Sequence, residues 1–353
     1  MSVVLVFLGG GFTWLALYFK TGIIGVAAAV VASTLATGLF YLWVVRNYTP
    51  WFGVSRPRIT DTRQMLRLSW WFMGWNLVTS LLLVSDVVVL GLLNSIESVT
   101  SYSLTKYVPE TLIGVIVIIV FGIMPGLGSI IGTGDQAKAA RLRDEINIFI
   151  WWIATALGAS ILVWNRIFIG LWVGAEQYSG PIPNLLIVIA SMQLVLIRSD
   201  GNVIDLTLRL GQKVILGLVS VTISIVAAGI MVGYFKLGVV GLCLGIMAGR
   251  LILSVGYPML ISRFLSIPVF PQVIGLLRPI LVTLLLFIAA AGMGDIHTIM
   301  AGSGMRGWFI FILSASLTGI LMLAISFYAG LSANQRRSIL RRVRAGLETV
   351  ESS

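Results

Sequence analysis

Residues 107–131 read YVPETLIGVIVIIVFGIMPGLGSII, an apolar stretch in which Glu110 is the single charged side chain. A helix needs about 20 predominantly apolar residues to cross the hydrocarbon core of a bilayer. This stretch is long enough to do so, and it therefore predicts a transmembrane helix.

Similar apolar stretches occur along the whole chain, and only 10% of the residues are charged. A soluble domain carries about 25% charged residues, so that class is excluded. The sequence predicts an all-α fold, a polytopic membrane helix bundle of about ten transmembrane helices. The predicted spans are residues 3–19, 22–45, 68–93, 107–131, 147–163, 182–197, 214–234, 238–261, 273–293 and 308–331.

The formal net charge of +11 first suggests nucleic-acid binding. The excess Lys and Arg, however, occur mainly in alternate loops and in the tail, the pattern that orients a membrane protein with its basic loops inside. We therefore expect a multi-pass protein of a bacterial cytoplasmic membrane, with both termini cytoplasmic and no nucleic-acid partner.

An internal repeat joins two distant parts of the chain. Residues 18–25 read YFKTGIIG and residues 234–241 read YFKLGVVG. Convergence of short Gly-containing turns is one explanation, and a duplication is the interpretation that we favour. Spans one and two would then correspond to spans seven and eight, as in transporters built from two related lobes.

The duplication predicts how the chain is divided. Residues 1–48 would form the last two helices of an incomplete N-terminal lobe, and residues 68–264 a six-helix C-terminal lobe. Residues 273–331 would be an extra helix pair and residues 332–353 a basic cytoplasmic tail. Four further helices are expected before the first span; a gene truncation and a misplaced start codon both explain their absence.

Charged residues inside spans are expensive and usually face a cavity, so they are candidate functional residues. Asp86 is either a cavity or ion site or a helix–helix hydrogen-bonding group. Lys106 and Glu110 are spaced to pair on one helix face. Pro109 between them is expected to break or start the helix. An interfacial pair without a substrate is the alternative.

Three further candidates are Arg198 and Asp200, which follow the end of the sixth predicted span, and Arg250, which lies in the eighth. Arg198 is suited to phosphate, because a guanidinium binds phosphate oxygens in a bidentate manner. An internal Arg–Asp pair that only holds the helix is the alternative. Arg250 lies in the middle of the eighth span, with no obvious partner nearby in sequence.

Other kinds of chemistry are disfavoured. The sequence has no Gly-x4-Gly-Lys-Ser/Thr motif, so no nucleotide partner is expected. Its one cysteine, Cys243, and its one histidine, His297, argue against metal centres, and no cofactor is expected. A membrane polymerase or ligase would need a large outer loop, whereas the longest one predicted is 294–307, so we expect no enzyme.

The residues 66–135 resemble the seventh and eighth helices of polysaccharide (O-antigen-type) flippases. These flippases belong to the multidrug/oligosaccharidyl-lipid/polysaccharide exporter superfamily. The resemblance lies in SDVVVLG at 85–91, SYSL at 101–104, MPGLG at 124–128 and Gly134-Asp135. It extends more diffusely from about residue 9 to residue 262.

The resemblance implies a remnant of a two-lobed, inverted-V fold of fourteen helices, of which the present spans look like helices five to fourteen. It also implies a role for Lys106. In related lipid II flippases, an arginine at the matching place lines the central cavity and meets the lipid-linked pyrophosphate. Lysine keeps the charge but lacks the bidentate geometry.

The leading hypothesis is therefore a flippase for undecaprenyl-diphosphate-linked oligosaccharide in lipopolysaccharide or other polysaccharide biosynthesis. Its expected partners are the lipid-linked oligosaccharide, membrane lipids and the polysaccharide export machinery. A cation-coupled multidrug exporter with Asp86 as its ion site is one alternative. A non-transporting fragment or partner subunit is another.

Overall fold

A computed structural model describes residues 2–49, 53, 58–208, 210–266, 269–293 and 304–340. The loop around His297 and the tail beyond residue 340 lie outside the described residues. Within them the chain is helical and contains no strand. The ten long helices are α1 Ser2–Tyr18, α2 Gly22–Tyr48, α3 Ile59–Leu93, α4 Ile96–Gly132, α5 Gln136–Trp172, α6 Pro181–Leu206, α7 Leu210–Gly229, α8 Gly238–Leu265, α9 Val269–Met293 and α10 Gly304–Ile325.

Each predicted span falls on one of these helices, and the all-α polytopic class is confirmed. Eight of the described helices are long and apolar enough to cross a membrane. The first and ninth spans stay predictions, because their apolar helical stretches are shorter than those of the other eight. Helix α1 has 17 residues, and the apolar stretch of α9 is Leu277–Met293.

The helices divide into two compact units, Met1–Leu66 and Arg67–Ser353. In the first unit, α1 and α2 pack together as a hairpin. In the second, α4, α5, α6 and α8 form the centre; α7 packs on α8, and α9 and α10 pack on α5. The assignment of the chain to lobes stays a prediction.

Helices α3, α4 and α5 begin well before the apolar stretches that revealed them. Helix α5 begins at Gln136 because the Asp135 carboxylate caps it, accepting the Lys138 backbone N–H at 2.9 Å. Its first turns bury Leu142 and Ile146 although they also carry charged residues. Hydropathy alone therefore placed this helix start eleven residues too late, at residue 147.

The expectation that Pro109 breaks or starts a helix is wrong. Helix α4 begins at Ile96, where Ser95 accepts the Ser98 backbone N–H, and continues through Pro109. A proline has no N–H, so it leaves the carbonyl four residues earlier without its helical donor. That carbonyl, on Thr105, accepts a hydrogen bond from Asn165 Nδ2 at 2.9 Å, which compensates for the lost helical bond.

The two copies of the repeated octapeptide form matching turns. Lys20 and Lys236 both lie in the left-handed region, with φ of 52° and 55°, and so do Gly22 and Gly238, with φ of 66° and 52°. A non-glycine residue adopts this conformation infrequently. Its occurrence at both corresponding lysines supports the duplication.

Close packing of α7 and α8 leads to a prediction about Gly249. A Cβ added there would lie 2.4 Å from the Ser224 backbone nitrogen, whereas one added at Gly229 would meet nothing within 4 Å. Gly249→Ala should lower the free energy of unfolding by about 1–3 kcal/mol, because the two helices must separate. The thermal midpoint of the purified protein in detergent measures this.

Gly229→Ala is the matched control, and it should leave the midpoint unchanged or raise it, because alanine favours a helix. Equal midpoints for the two variants would show that the close approach of α7 and α8 does not contribute to stability.

Candidate functional site

Asp86 on α3 is 2% exposed, and the contacts of its side chain define the centre of the candidate site. Its Oδ2 accepts hydrogen bonds from Tyr102 Oη at 2.7 Å and from Lys106 Nζ at 2.5 Å, both on α4. Its Oδ1 accepts the Val87 backbone N–H at 2.8 Å. The buried carboxylate is thus paired with a cation and hydrogen-bonded, which lowers the free-energy cost of burying it.

The Lys106 ammonium lies between two carboxylates. Besides Asp86, it contacts Glu110 Oε1 at 2.7 Å. Lys106 and Glu110 are four residues apart, and this spacing indicated their contact in the sequence. Tyr102, Lys106 and Glu110 share one face of α4, because each is four residues from the next. The Lys106 side chain is 13% exposed and that of Glu110 is 45% exposed, so the outer half of this ion-pair cluster is accessible.

Arg250 on α8 approaches the same place and is 5% exposed. Its two terminal nitrogens donate to main-chain carbonyls, Nη2 to Leu82 on α3 at 2.9 Å and Nη1 to Ala190 on α6 at 3.3 Å. Its Nε is buried and has no hydrogen-bond partner among the described residues. Sequence reasoning found no partner because carbonyl groups on distant helices have no signature in the sequence.

These side chains line one cavity of about 20 Å³, enough for one or two water molecules. Asp86, Tyr102, Lys106, Glu110 and Arg250 supply its polar wall, together with small and aliphatic residues from α6 and α8. Two carboxylates and two cations face it, so their formal charges cancel. A larger anion can enter only if Lys106 releases a carboxylate and the cavity widens.

Arg198 and Asp200 do not line this cavity. Asp200 pairs with Arg143 of α5. Arg143 donates from Nη2 at 2.9 Å and from Nε at 3.0 Å to Asp200 Oδ1. Both side chains are buried. Sequence reasoning missed Arg143 because it lies between the predicted spans 107–131 and 147–163.

A second buried cation also lies outside the predicted spans, between 182–197 and 214–234. Lys213 of α7 is 0% exposed, donates to Asp205 Oδ1 at 2.7 Å, and lies 3.7 Å from the centre of the Trp75 ring. An ion pair and a cation–π contact together stabilise it. These two ion pairs hold helices of the second unit together, apart from the cavity that Lys106 lines.

Comparison with known proteins gives one match. Residues 1–130 match the family model described as polysaccharide biosynthesis protein. Asp86, Lys106 and Glu110 lie within the matched part. No curated protein and no solved structure matches the chain. The resemblance to polysaccharide flippases is thus confirmed over residues 1–130. Together with the helices that are long and apolar enough to cross a membrane, it supports a polysaccharide-related membrane flippase or exporter in the broad sense.

Proposed function

We propose that this chain, whose residues 1–130 match a polysaccharide biosynthesis family, is a flippase for lipid-linked oligosaccharide of the undecaprenyl-diphosphate type. It would act in a bacterial cytoplasmic membrane, with both termini on the cytoplasmic side. The main supporting observation is the Lys106 ammonium, which bridges a buried and an accessible carboxylate on the wall of a cavity.

The chemistry of Lys106 suits a diphosphate. Hydrogen bonds between an ammonium and phosphate oxygens are charge-assisted and about twice as strong as neutral ones. The effective dielectric constant near this site is lower than that of water, which strengthens the attraction. Arg250 adds a second cation on the same wall, and its unpartnered Nε is a further donor.

The exposure of the two carboxylates suggests an order of events. Asp86 and Tyr102 are buried and fix the inner side of the ammonium, whereas Glu110 is exposed. A diphosphate would replace Glu110 on Lys106, and Asp86 would stay in place. The glycan would occupy the widened cavity while the lipid tail stays in the bilayer, and alternating access would complete transport.

The alternative function, a cation-coupled multidrug exporter, is supported by the burial of Asp86, which suits an ion site. Asp86 is, however, already paired with Lys106, so a coupling ion would have to displace that ammonium. Replacement of Glu110 by a diphosphate would leave the buried pair of Asp86 and Lys106 intact, and we therefore favour the diphosphate hypothesis.

Reconstituted transport tests the proposed function. Proteoliposomes containing the purified chain should move a fluorescent undecaprenyl-diphosphate oligosaccharide to the opposite leaflet, where an added glycosidase removes the label. Empty liposomes and liposomes with heat-denatured protein give the background rate. Movement at the background rate, together with export of a cationic dye, would favour the multidrug alternative; movement of neither would favour a partner subunit.

A further inference from the structure

Arg250 connects three of the helices that line the cavity beside Lys106, which we call the Lys106 cavity. Cys243 and Arg250 both line it from α8, where their spacing of seven residues, about two turns, places them on one face. Leu82 lines it from α3 and Ala190 from α6. Arg250 donates to the carbonyls of these two residues, at 2.9 Å and 3.3 Å. One guanidinium therefore ties α3 and α6 to α8 at the cavity wall.

The charges around the Lys106 cavity are paired unevenly. Lys106 contacts both carboxylates, Asp86 and Glu110. Arg250 forms no ion pair with any residue in the part of the chain that the structure describes. Arg250 is nevertheless 5% exposed, and buried charges are usually paired. This cation therefore has unused capacity to bind an anion.

The groups that Arg250 does contact are weak partners for a cation. Leu82 and Ala190 lie inside α3 and α6, so their carbonyls already accept the helical N–H four residues further on. Hydrogen bonds to a charged acceptor are about twice as strong as those between neutral groups. A phosphate also matches the geometry of a guanidinium, so it would compete well against two neutral carbonyls.

The contacts of Arg250 restrict how the cavity can widen. Its volume of about 20 Å³ accommodates one or two water molecules, which is too little for a diphosphate. Movement of α3 or α6 away from α8 requires Arg250 to release the carbonyl of that helix. The guanidinium that is freed in this way stays on the wall of the widened cavity.

We propose that Arg250 is a latch that exchanges partners. Without substrate it bonds to the carbonyls of α3 and α6 and keeps the cavity narrow. When the cavity widens, it releases a carbonyl and binds a phosphate of the diphosphate. The phosphate contact rests on the proposed function, whereas the latch does not require a substrate. Because the substrate bonds to the guanidinium only in the widened state, its binding would favour that state.

Cys243 provides the test of the latch. It is the only cysteine in the sequence, it lines the cavity, and it is 2% exposed. The purified full chain, without substrate, is treated with a small methanethiosulfonate reagent, and mass spectrometry follows the labelling. Arg250→Gln should be labelled at least tenfold faster than the wild type, because the cavity widens more often. Arg250→Lys should be labelled at least threefold faster, since an ammonium lacks the forked geometry that reaches two carbonyls.

Two controls separate widening of the cavity from a general loss of stability. Arg263→Gln removes an exposed arginine near the end of α8 and should be labelled like the wild type. Gly158→Ala places a Cβ 2.6 Å from the Phe287 ring, and neither residue lines the cavity. It should lower the thermal midpoint and leave labelling slow. Should Arg250→Gln fail to fold, Arg250→Lys decides.

Transport by the same variants in proteoliposomes tests the phosphate contact. Arg250→Gln should move the lipid-linked oligosaccharide at least tenfold more slowly than the wild type. Arg250→Lys should be at least threefold faster than Arg250→Gln, because it keeps the charge that meets the phosphate. A residue that only closes the cavity would not give this partial rescue.

The outcomes distinguish this proposal from the proposed function. Labelling of both Arg250 variants at the wild-type rate would overturn the latch, as would equally fast labelling of Gly158→Ala. Wild-type transport by Arg250→Gln, or equal rates for the two Arg250 variants, would overturn the phosphate contact. A wild-type chain that moves no lipid-linked oligosaccharide would contradict the proposed function and the phosphate contact together, while fast labelling of Arg250→Gln would still support the latch.

Discussion

Replacing Lys106 with alanine should reduce export of lipid-linked oligosaccharide about 30-fold or more. The variant removes the cation proposed to meet the diphosphate and leaves Asp86 buried with one fewer partner. Loss of one partner from a buried, hydrogen-bonded charge pair costs about 2–5 kcal/mol, and 1.4 kcal/mol corresponds to a factor of ten. Surface polysaccharide made by a flippase-deficient bacterial strain that expresses each variant measures this, at matched protein level.

Three further variants separate a substrate contact from a structural one. Lys106→Arg should keep export, since the charge remains and a bidentate geometry is added. Lys20→Ala, at an exposed lysine in a turn, should have little effect. The double variant Asp86→Asn/Lys106→Met removes both charges and should stay inactive. Recovery of export in it would show that Lys106 serves only to neutralise Asp86. Full export by Lys106→Ala would show that the Lys106 cation is not needed for export.

Replacing Arg143 with alanine should destabilise the second unit by about 3–5 kcal/mol, because it leaves Asp200 as an unpaired carboxylate in a buried position. The loss should appear as a lower thermal midpoint, or as a failure to recover monodisperse protein from detergent extracts. Size-exclusion chromatography and thermal unfolding at a fixed detergent concentration measure both.

Arg141→Ala is a matched control, because Arg141 is exposed on the same turn of α5. It should unfold like the wild type. The double variant Arg143→Met/Asp200→Leu should recover much of the stability, since apolar residues of similar volume often replace a buried pair without loss. An Arg143→Ala protein as stable as Arg141→Ala would show that the ion pair contributes little.

Hydropathy predicted where the helices lie, but it placed the starts of α3, α4 and α5 about nine to eleven residues too late. A long apolar stretch is a direct physical requirement for crossing a bilayer, so the ten stretches fall on ten helices. The start of α5 was missed because its first turns carry charged residues on one face while burying Leu142 and Ile146 on the other. The effect of Pro109 was predicted wrongly because the helix continues through it with help from a distant residue. Asn165, sixty residues away, donates to the Thr105 carbonyl that Pro109 leaves without a helical donor.

The candidate site was predictable only within one helix. The spacing of Lys106 and Glu110 indicates their contact, because a helix places residues four apart on one face. The contact of Lys106 with Asp86 depends on how α3 meets α4, and those of Arg250 depend on α3 and α6. The same limit hid the pairing of Arg143 with Asp200, which lie on different helices.

The most direct measurement for the central claim is the affinity of the purified chain for a short-chain polyprenyl-diphosphate disaccharide, compared with the monophosphate. Isothermal titration in detergent should show that the wild-type protein favours the diphosphate. Lys106→Gln should bind it at least tenfold more weakly, with the affinity for the monophosphate less affected. An equal affinity of the wild-type and Lys106→Gln proteins for the diphosphate would contradict the account.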